Sequence, residues 1–254
     1  MLSEKRREDL RRRVEHVSRF RSLAGATVLE IGADADGAAA QMLVDAGARR
    51  VVSTNYAEKW PVETIGAIER RRLDARMIGR DVEPGSIDVI FGVAVLEHIH
   101  DLAEFFAGAD LALKPGGLFF VQGEPIWSSA KGHHVGLVGV EKHYRFGDPK
   151  TNPIPDWAHL IHTSASMTED LIARGVHAGD AEKIAERVYD SDRINRVGYR
   201  TMSETFRASP LNLLEQIDNA FKPPAPDMLA AIERGPYGGE QRFEVSGITF
   251  AATA

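Results

Sequence analysis

The stretch ATVLEIGADADG, residues 26–37, constrains this chain more than any other. An apolar run leads directly into a Gly/Asp-rich turn. The following AAAQMLVDAGA reads as a helix closed by Gly47. A strand that turns sharply into a helix builds a nucleotide-type site, because the turn admits the ligand close to the backbone and the helix N-terminus offers free N–H groups. Glu30 sits inside the strand, two residues before Gly32. Acids at Glu30, Asp34 and Asp36 would repel a pyrophosphate, but suit a ligand that carries an ammonium and a sulfonium. The bland reading is a turn rich in Asp for its local geometry.

The same alternation continues downstream. RRVVSTN is a short β-branched strand, SIDVIFGVAVLEHI contains a buried one, LAEFFAGADLAL is a helix stopped by the turn KPGG, and LFFVQGE is a further strong strand. Strands alternating with helices predict a mostly parallel α/β sheet with helices on both faces. Upstream, Leu10, Val14, Val17 and Phe20 recur at helical spacing over residues 3–22. The six Lys or Arg of residues 5–13 alternate with acids there, as on a solvated helix face.

From Pro125 the pattern breaks into a Gly-, Pro- and His-rich segment too long for an ordinary connection. Helical patterns return at SMTEDLIARG, with Ser166 and Glu169 as a capping box, at DAEKIAERVYDSDRINRV, capped by Asp180, and at TMSETFRAS. PLNLLEQID reads as a strand, PDMLAAIERG as a helix and QRFEVSGITFAATA as a terminal strand. The expected layout is one domain over residues 1–254. It has an N-terminal helix (1–24), a ligand-binding core (25–125), a helical or irregular cap after the fifth strand (126–200) and closing strands (201–254).

Composition removes several classes. A net charge of −6 argues against a nucleic-acid partner. With no cysteine there is no disulfide, thiolate metal site or cysteine nucleophile. No apolar run reaches the roughly 18 residues of a membrane span, and the charged N-terminus lacks a signal peptide's apolar core, so a cytoplasmic protein without a membrane partner is expected. The sequence leaves a homodimer open.

VLEIGADADG, RRLDAR, SIDVIFGVAVLEHIHD and LKPGGLFFV, in this order and spacing, resemble the class I S-adenosylmethionine-dependent methyltransferases. The resemblance implies a Rossmann-like, seven-stranded, mostly parallel sheet with the last strand antiparallel. It implies that Glu30, Gly32, Ala33 and Asp34 hold the methionine part of the cofactor. Asn55 and Tyr56 fall where the ribose is gripped, Asp74 meets the adenine with Ala75 beside it, and Val93 and His98 lie toward the reactive end. The family usually has Asp or Glu where this chain has Asn55, and a carboxylate binds hydroxyls more strongly than an amide.

Methyl transfer needs an aligned acceptor and, for a hydroxyl, a base. His133 and His134, in KGHHVG after the fifth strand, are the candidate catalytic residues. Neighbours in an extended segment point opposite ways, so one is expected to face the site and one away. Trp127, His143, Tyr144, Trp157 and His159 are candidate walls of the acceptor pocket. A divalent ion held by one of the pair with His159, Asp156 and Glu124 ranks below a metal-free site. The reading is a small-molecule O-methyltransferase acting on a sugar or natural-product-like hydroxyl. The alternatives are a small-molecule N-methyltransferase and, in another class, a non-catalytic S-adenosylmethionine-binding subunit or regulator.

Overall fold

The structure, a computed structural model, describes residues 3–140 and 142–254. Eight strands form one sheet: β1 (Thr27–Ile31), β2 (Arg50–Asn55), β3 (Glu63–Ile65), β4 (Ile68–Arg72), β5 (Ile87–Gly92), β6 (Leu113–Gly123), β9 (Asn212–Ala220) and β10 (Val245–Thr253). Their order is β3-β4-β2-β1-β5-β6-β10-β9. The strands β4, β2, β1, β5 and β6 are parallel. The sheet direction reverses at β10: Ala254 exchanges backbone bonds with Gly116 and Gly117 at one end, and Ile126 bonds Ser246 at the other. This is the expected Rossmann-like α/β sheet with an antiparallel last strand, but with eight strands in place of seven.

The additional strand is β3, which pairs antiparallel with β4 at the sheet edge. Neither member of this hairpin is legible from apolar periodicity. β4 reads IERRR and is only half-buried, as an edge strand blunted by charge would be. KPGG also differs from expectation. It lies within β6, where Ile87 pairs with Leu113 and Val89 with Leu118, so the one residue between them on β5 opposes four on β6. The motif is a bulge near the strand start, with Gly116 at φ +70°, and the helix before it ends at Ala112.

The chain divides into two compact units. The first comprises residues 1–123, 205–217 and 249–254, the second 124–204 and 218–248. In the first unit, helices α1 (Glu4–Phe20) and α2 (Ala38–Asp45) cover one sheet face. Leu10, Val14, Val17 and Leu43 pack with Val28, Val51, Phe91 and Phe120. The short α3 (Ile78–Asp81) and α4 (Leu102–Ala112) pack together through Gly79 and Gly108, whose backbones leave no room for a Cβ. Phe105 and Phe106 of α4 meet Phe119, and Phe106 also meets Phe206 and Phe250.

The second unit has its own core of Trp127, Tyr144, Trp157, Leu171, Ile184 and Phe243 among others. It contains a two-stranded ribbon, β7 (Gly136–Val138) and β8 (His143–Arg145), and helices α5 (Ser164–Ala173) and α6 (Ala178–Tyr189). Helix α7 (Tyr199–Arg207) begins in this unit, and α8 (Pro226–Arg234) belongs to it. Two capping assignments change. The capping box of α5 uses Thr163 as N-cap with Ser166 at the third helical position. Asp180 does not cap α6. It is fully buried and accepts bonds from the Val140 N–H and the Tyr144 hydroxyl, which ties the ribbon to that helix.

Candidate functional site

In the first unit the sheet order reverses beside β1, so the turns leaving β1 and β5 open a crevice at their carboxyl ends, the place where open α/β sheets take ligands. Gly32 is central to it. Its φ is +71°, and a Cβ there would stand 2.6 Å from Val95 Cγ2. The turn is tied to β2 by the Ala33 N–H on the Thr54 carbonyl and by Asn55 Nδ2, which donates to the Ala33 carbonyl at 3.0 Å. Asn55 Oδ1 in turn accepts the Ala57 N–H. Both ends of the amide therefore shape the turn. Tyr56 is exposed, and its carbonyl accepts from Arg72.

Glu30 is 3% exposed, and its Oε2 has no hydrogen-bond partner. Burial pushes its carboxyl up to about 7. Asp34 and Asp36 push the same way, and the Ser53 hydroxyl and Arg70 guanidinium oppose them. Glu30 lines a small cavity with Gly32, Asp34, Phe91, Val93 and Arg6. Such a group is expensive unless a cation comes to it, so the cavity fits a positively charged ligand end.

Asp74 follows β4 and caps a short turn at Ala75–Met77. The Arg76 guanidinium bonded to it holds its carboxyl below the usual range. On β5's exit, Val93 is half-buried. His98 is partly exposed, 3.7 Å from the buried Glu97 carboxylate. Gly123 lets this turn lie against β6, since a Cβ there would be 2.9 Å from Leu96 Cβ.

In the second unit, His133 and His159 are both buried, with ring centroids 5.4 Å apart. The Val135 N–H can only donate, so His133 Nδ1 accepts it at 3.2 Å and the ring proton lies on Nε2. The Trp127 carbonyl can only accept, so His159 Nε2 donates to it at 2.8 Å and Nδ1 keeps its lone pair. Neither His133 Nε2 nor His159 Nδ1 has a partner among the described residues. Burial holds both rings neutral: His133 lies well below its ordinary range, and His159 is lowered to about 4. His134 adopts φ +49° and its Nδ1 donates to the Gly132 carbonyl at 2.8 Å, which leaves the lone pair on Nε2. The adjacent pair therefore presents one N–H nitrogen and one basic nitrogen, a distinction set by backbone partners and invisible in the sequence.

The remaining candidates of this unit divide. Trp127 is buried edge-on to His159, and Trp157 donates its indole N–H to the Phe243 carbonyl. Tyr144 is buried on Asp180, whereas His143 is exposed. Of the residues named for a metal, Asp156 is exposed, and the Glu124 oxygens accept from Asn219 and Ser246. Sequence reasoning missed Arg6 and Arg70 near the turn. Arg70 spans from Glu63 to a position 2.8 Å from where a Gly37 Cβ would stand, and its only signal was the basic run of β4.

Residues 29–121 match the family of the Methyltransferase domain. A curated protein of Mycolicibacterium smegmatis, described as a probable S-adenosylmethionine-dependent methyltransferase, is 34% identical over 103 residues, which are 39% of this chain and 38% of that one. The match thus spans well under half the relative's length. Among solved structures, an S-adenosylmethionine-dependent methyltransferase from Mesorhizobium loti aligns with TM-score 0.54 and 16% identity over 94% of this chain and 95% of that one. Phosphoethanolamine N-methyltransferase 2 of Haemonchus contortus aligns at 0.52 and 14% over 95% of this chain and 52% of that one. These two likenesses are likenesses of fold. The match to the Methyltransferase domain is confined to the segment 29–121, which carries the turn after β1. The buried Glu30, whose Oε2 has no hydrogen-bond partner, and the side-chain-free Gly32 fit the ammonium of S-adenosylmethionine's amino-acid end.

Proposed function

We propose that this protein transfers a methyl group from S-adenosylmethionine to a hydroxyl of a small molecule, such as a sugar or natural-product-like acceptor. When bound, the cofactor supplies an activated sulfonium methyl, and the chain's own residues orient the partners and manage one proton. Glu30, Gly32, Ala33 and Asp34 hold the methionine part, Asn55 and Tyr56 lie by the ribose, Asp74 and Ala75 by the adenine, and Val93 and His98 toward the methyl.

The observation that carries the choice of a hydroxyl is the neutral His133–His159 pair. One ring offers an unpartnered N–H and the other an unpartnered lone pair. A hydroxyl of the acceptor accepts from the first and donates to the second, and the neighbouring hydroxyl that is methylated gives its proton to His134. A protonated amine only donates and would meet the His133 N–H with like polarity, whereas the neutral amine that N-methylation requires can use both atoms, so the acceptor assay decides between them. His134, whose Nε2 carries the lone pair, is the proposed base. Trp127, Trp157 and Tyr144 wall the acceptor site, with His143 at its rim.

Labelled S-adenosylmethionine incubated with matched hydroxyl and amine acceptors tests this. Label in the hydroxyl compounds, and a fall in kcat of about 100-fold or more in His134→Ala, are expected. Label only in amines, with turnover indifferent to His134, would establish the N-methyltransferase. One observation favours a second reading, a non-catalytic cofactor-binding subunit: both ends of the Asn55 amide are already engaged in the turn. Tight binding of S-adenosylmethionine without turnover on any acceptor would support it.

A further inference from the structure

The strands β2 and β4 run parallel, and residues 56–67 connect them. A crossover of this kind usually carries a helix, which covers the sheet face. Here it carries β3 instead, which extends the sheet at its edge. The face of β4 beyond α2 therefore stands open. Ile65 is 58% exposed, and Met42 and Ile68 are only partly buried against the first unit's core. The result is a groove of about 680 Å³ between α1, α2 and the β3–β4 hairpin, a size suited to a small molecule. It shares no lining residue with the cavity at Glu30.

One wall of the groove is α1, where Arg7, Arg11 and Val14 follow one another at helical spacing. The other guanidiniums of the basic run are paired: Arg6 with Asp34, Arg12 with Glu8 and Arg13 with Asp9. Those of Arg7 and Arg11 have no carboxylate within ion-pair distance among the described residues. Two like charges one turn apart weaken a helix, so helix stability is a poor account of them. Arg70 of β4, paired with Glu63, brings a third guanidinium to the groove, on the strand face that Ile68 shares. Acids line the groove as well. Asp36 accepts the Ala38 N–H and Asp45 accepts from Gln41, so both are engaged by α2. Glu15 lies one turn beyond Arg11, beside Val14. The uncompensated positive charge is thus gathered at Arg7 and Arg11, and the apolar surface at Val14, Met42, Ile65 and Ile68.

We propose that this groove binds a small amphiphile, an apolar chain that ends in a phosphate. A phosphate has oxygens enough for two guanidinium forks, and such bonds are charge-assisted. The chain lies over Val14, Met42, Ile65 and Ile68, whose burial supplies the apolar part of the affinity. A cationic amphiphile would be repelled by Arg7 and Arg11, and inorganic phosphate would leave the apolar wall in water. The groove is separate from the cavity at Glu30, so the proposal does not depend on how that cavity is used.

Calorimetric titration of the full chain with dodecyl phosphate, kept below its micelle concentration, tests this beside dodecyltrimethylammonium, inorganic phosphate and vesicles of phosphatidylglycerol. The wild type is expected to bind dodecyl phosphate about tenfold or more tighter than inorganic phosphate, and to ignore the cationic amphiphile. The double variant Arg7→Ala/Arg11→Ala should lose about tenfold or more in affinity for dodecyl phosphate. Ile65→Ser should weaken dodecyl phosphate severalfold and leave inorganic phosphate unchanged, and Arg12→Ala should change neither. All four positions are exposed, so the fold is expected to survive each change, with melting temperature as the check. Affinity undiminished in the double variant, or equal binding of the cationic amphiphile, overturns the proposal. So does a wild type that does not take dodecyl phosphate; if it adsorbs to the vesicles instead, α1 is a membrane-surface helix.

Discussion

At the residue scale the clearest consequence concerns Glu30. Its carboxyl is raised from 4.5 to about 7, so the folded protein keeps a proton that the unfolded chain releases between those values. Stability therefore falls as pH rises through that window, and the full penalty, on the order of 3 kcal/mol, is present above it. Glu30→Gln should melt above the wild type at pH 8 and level with it near pH 4.5. The same variant should bind S-adenosylmethionine about tenfold more weakly at pH 8, because the charged partner of the ammonium is gone. An unchanged melting difference across pH would mean that Glu30 is solvated. His159 runs the other way. Its lowered value means that the unfolded chain binds the proton first, so stability is lost as pH falls from about 6.5 toward 4. His159→Gln should show a smaller fall in melting temperature between pH 6.5 and 4.5 than the wild type. The identity of these residues was readable in the sequence, but not their polarity. Nothing in KGHHVG states that Val135 donates to one ring and Gly132 accepts from the next.

At the element scale the β1 turn and the α6 clamp can be tested separately. Gly32→Ala would force a side chain into left-handed backbone and against Val95. A loss of roughly 1–3 kcal/mol in denaturant unfolding is expected, together with loss of cofactor binding. In the second unit, Tyr144→Phe removes one bond to the buried Asp180 and should cost about 1 kcal/mol. Asp180→Ala leaves both donors without their acceptor and should cost more, with faster amide exchange at Val140. Sequence reasoning found β1, β2, β5, β6, β9 and β10 and the helices α1, α2 and α4 to α8, most clearly where the apolar signal is strong, as in β1, β5, β6, α1, α2 and α4. It missed the β3–β4 hairpin, because an edge strand of charged residues carries no alternation, and it misassigned Asp180 as a cap, because a helix-start acid looks the same whether it faces solvent or a buried hydroxyl. The basic run on α1 was read as a solvated face, and Arg6 and Arg12 of that run stand in exposed ion pairs with Asp34 and Glu8.

At the scale of the whole molecule, the order β3-β4-β2-β1-β5-β6-β10-β9 is a Rossmann-like sheet, and the neutral histidine pair lies in the second unit. The acids of the β1 turn would repel a dinucleotide's pyrophosphate on charge alone. The acceptor is less accessible to such reasoning, because a hydroxyl and an amine differ by the placement of single protons. Every role proposed for these residues depends on S-adenosylmethionine binding. Calorimetric titration of the wild-type chain with S-adenosylmethionine, beside NAD as the competing dinucleotide, tests it directly. One equivalent of S-adenosylmethionine should bind, more tightly as pH rises through about 7 where Glu30 gives up its proton, and NAD should not bind. A folded protein that ignores S-adenosylmethionine, or takes NAD in its place, would contradict the account.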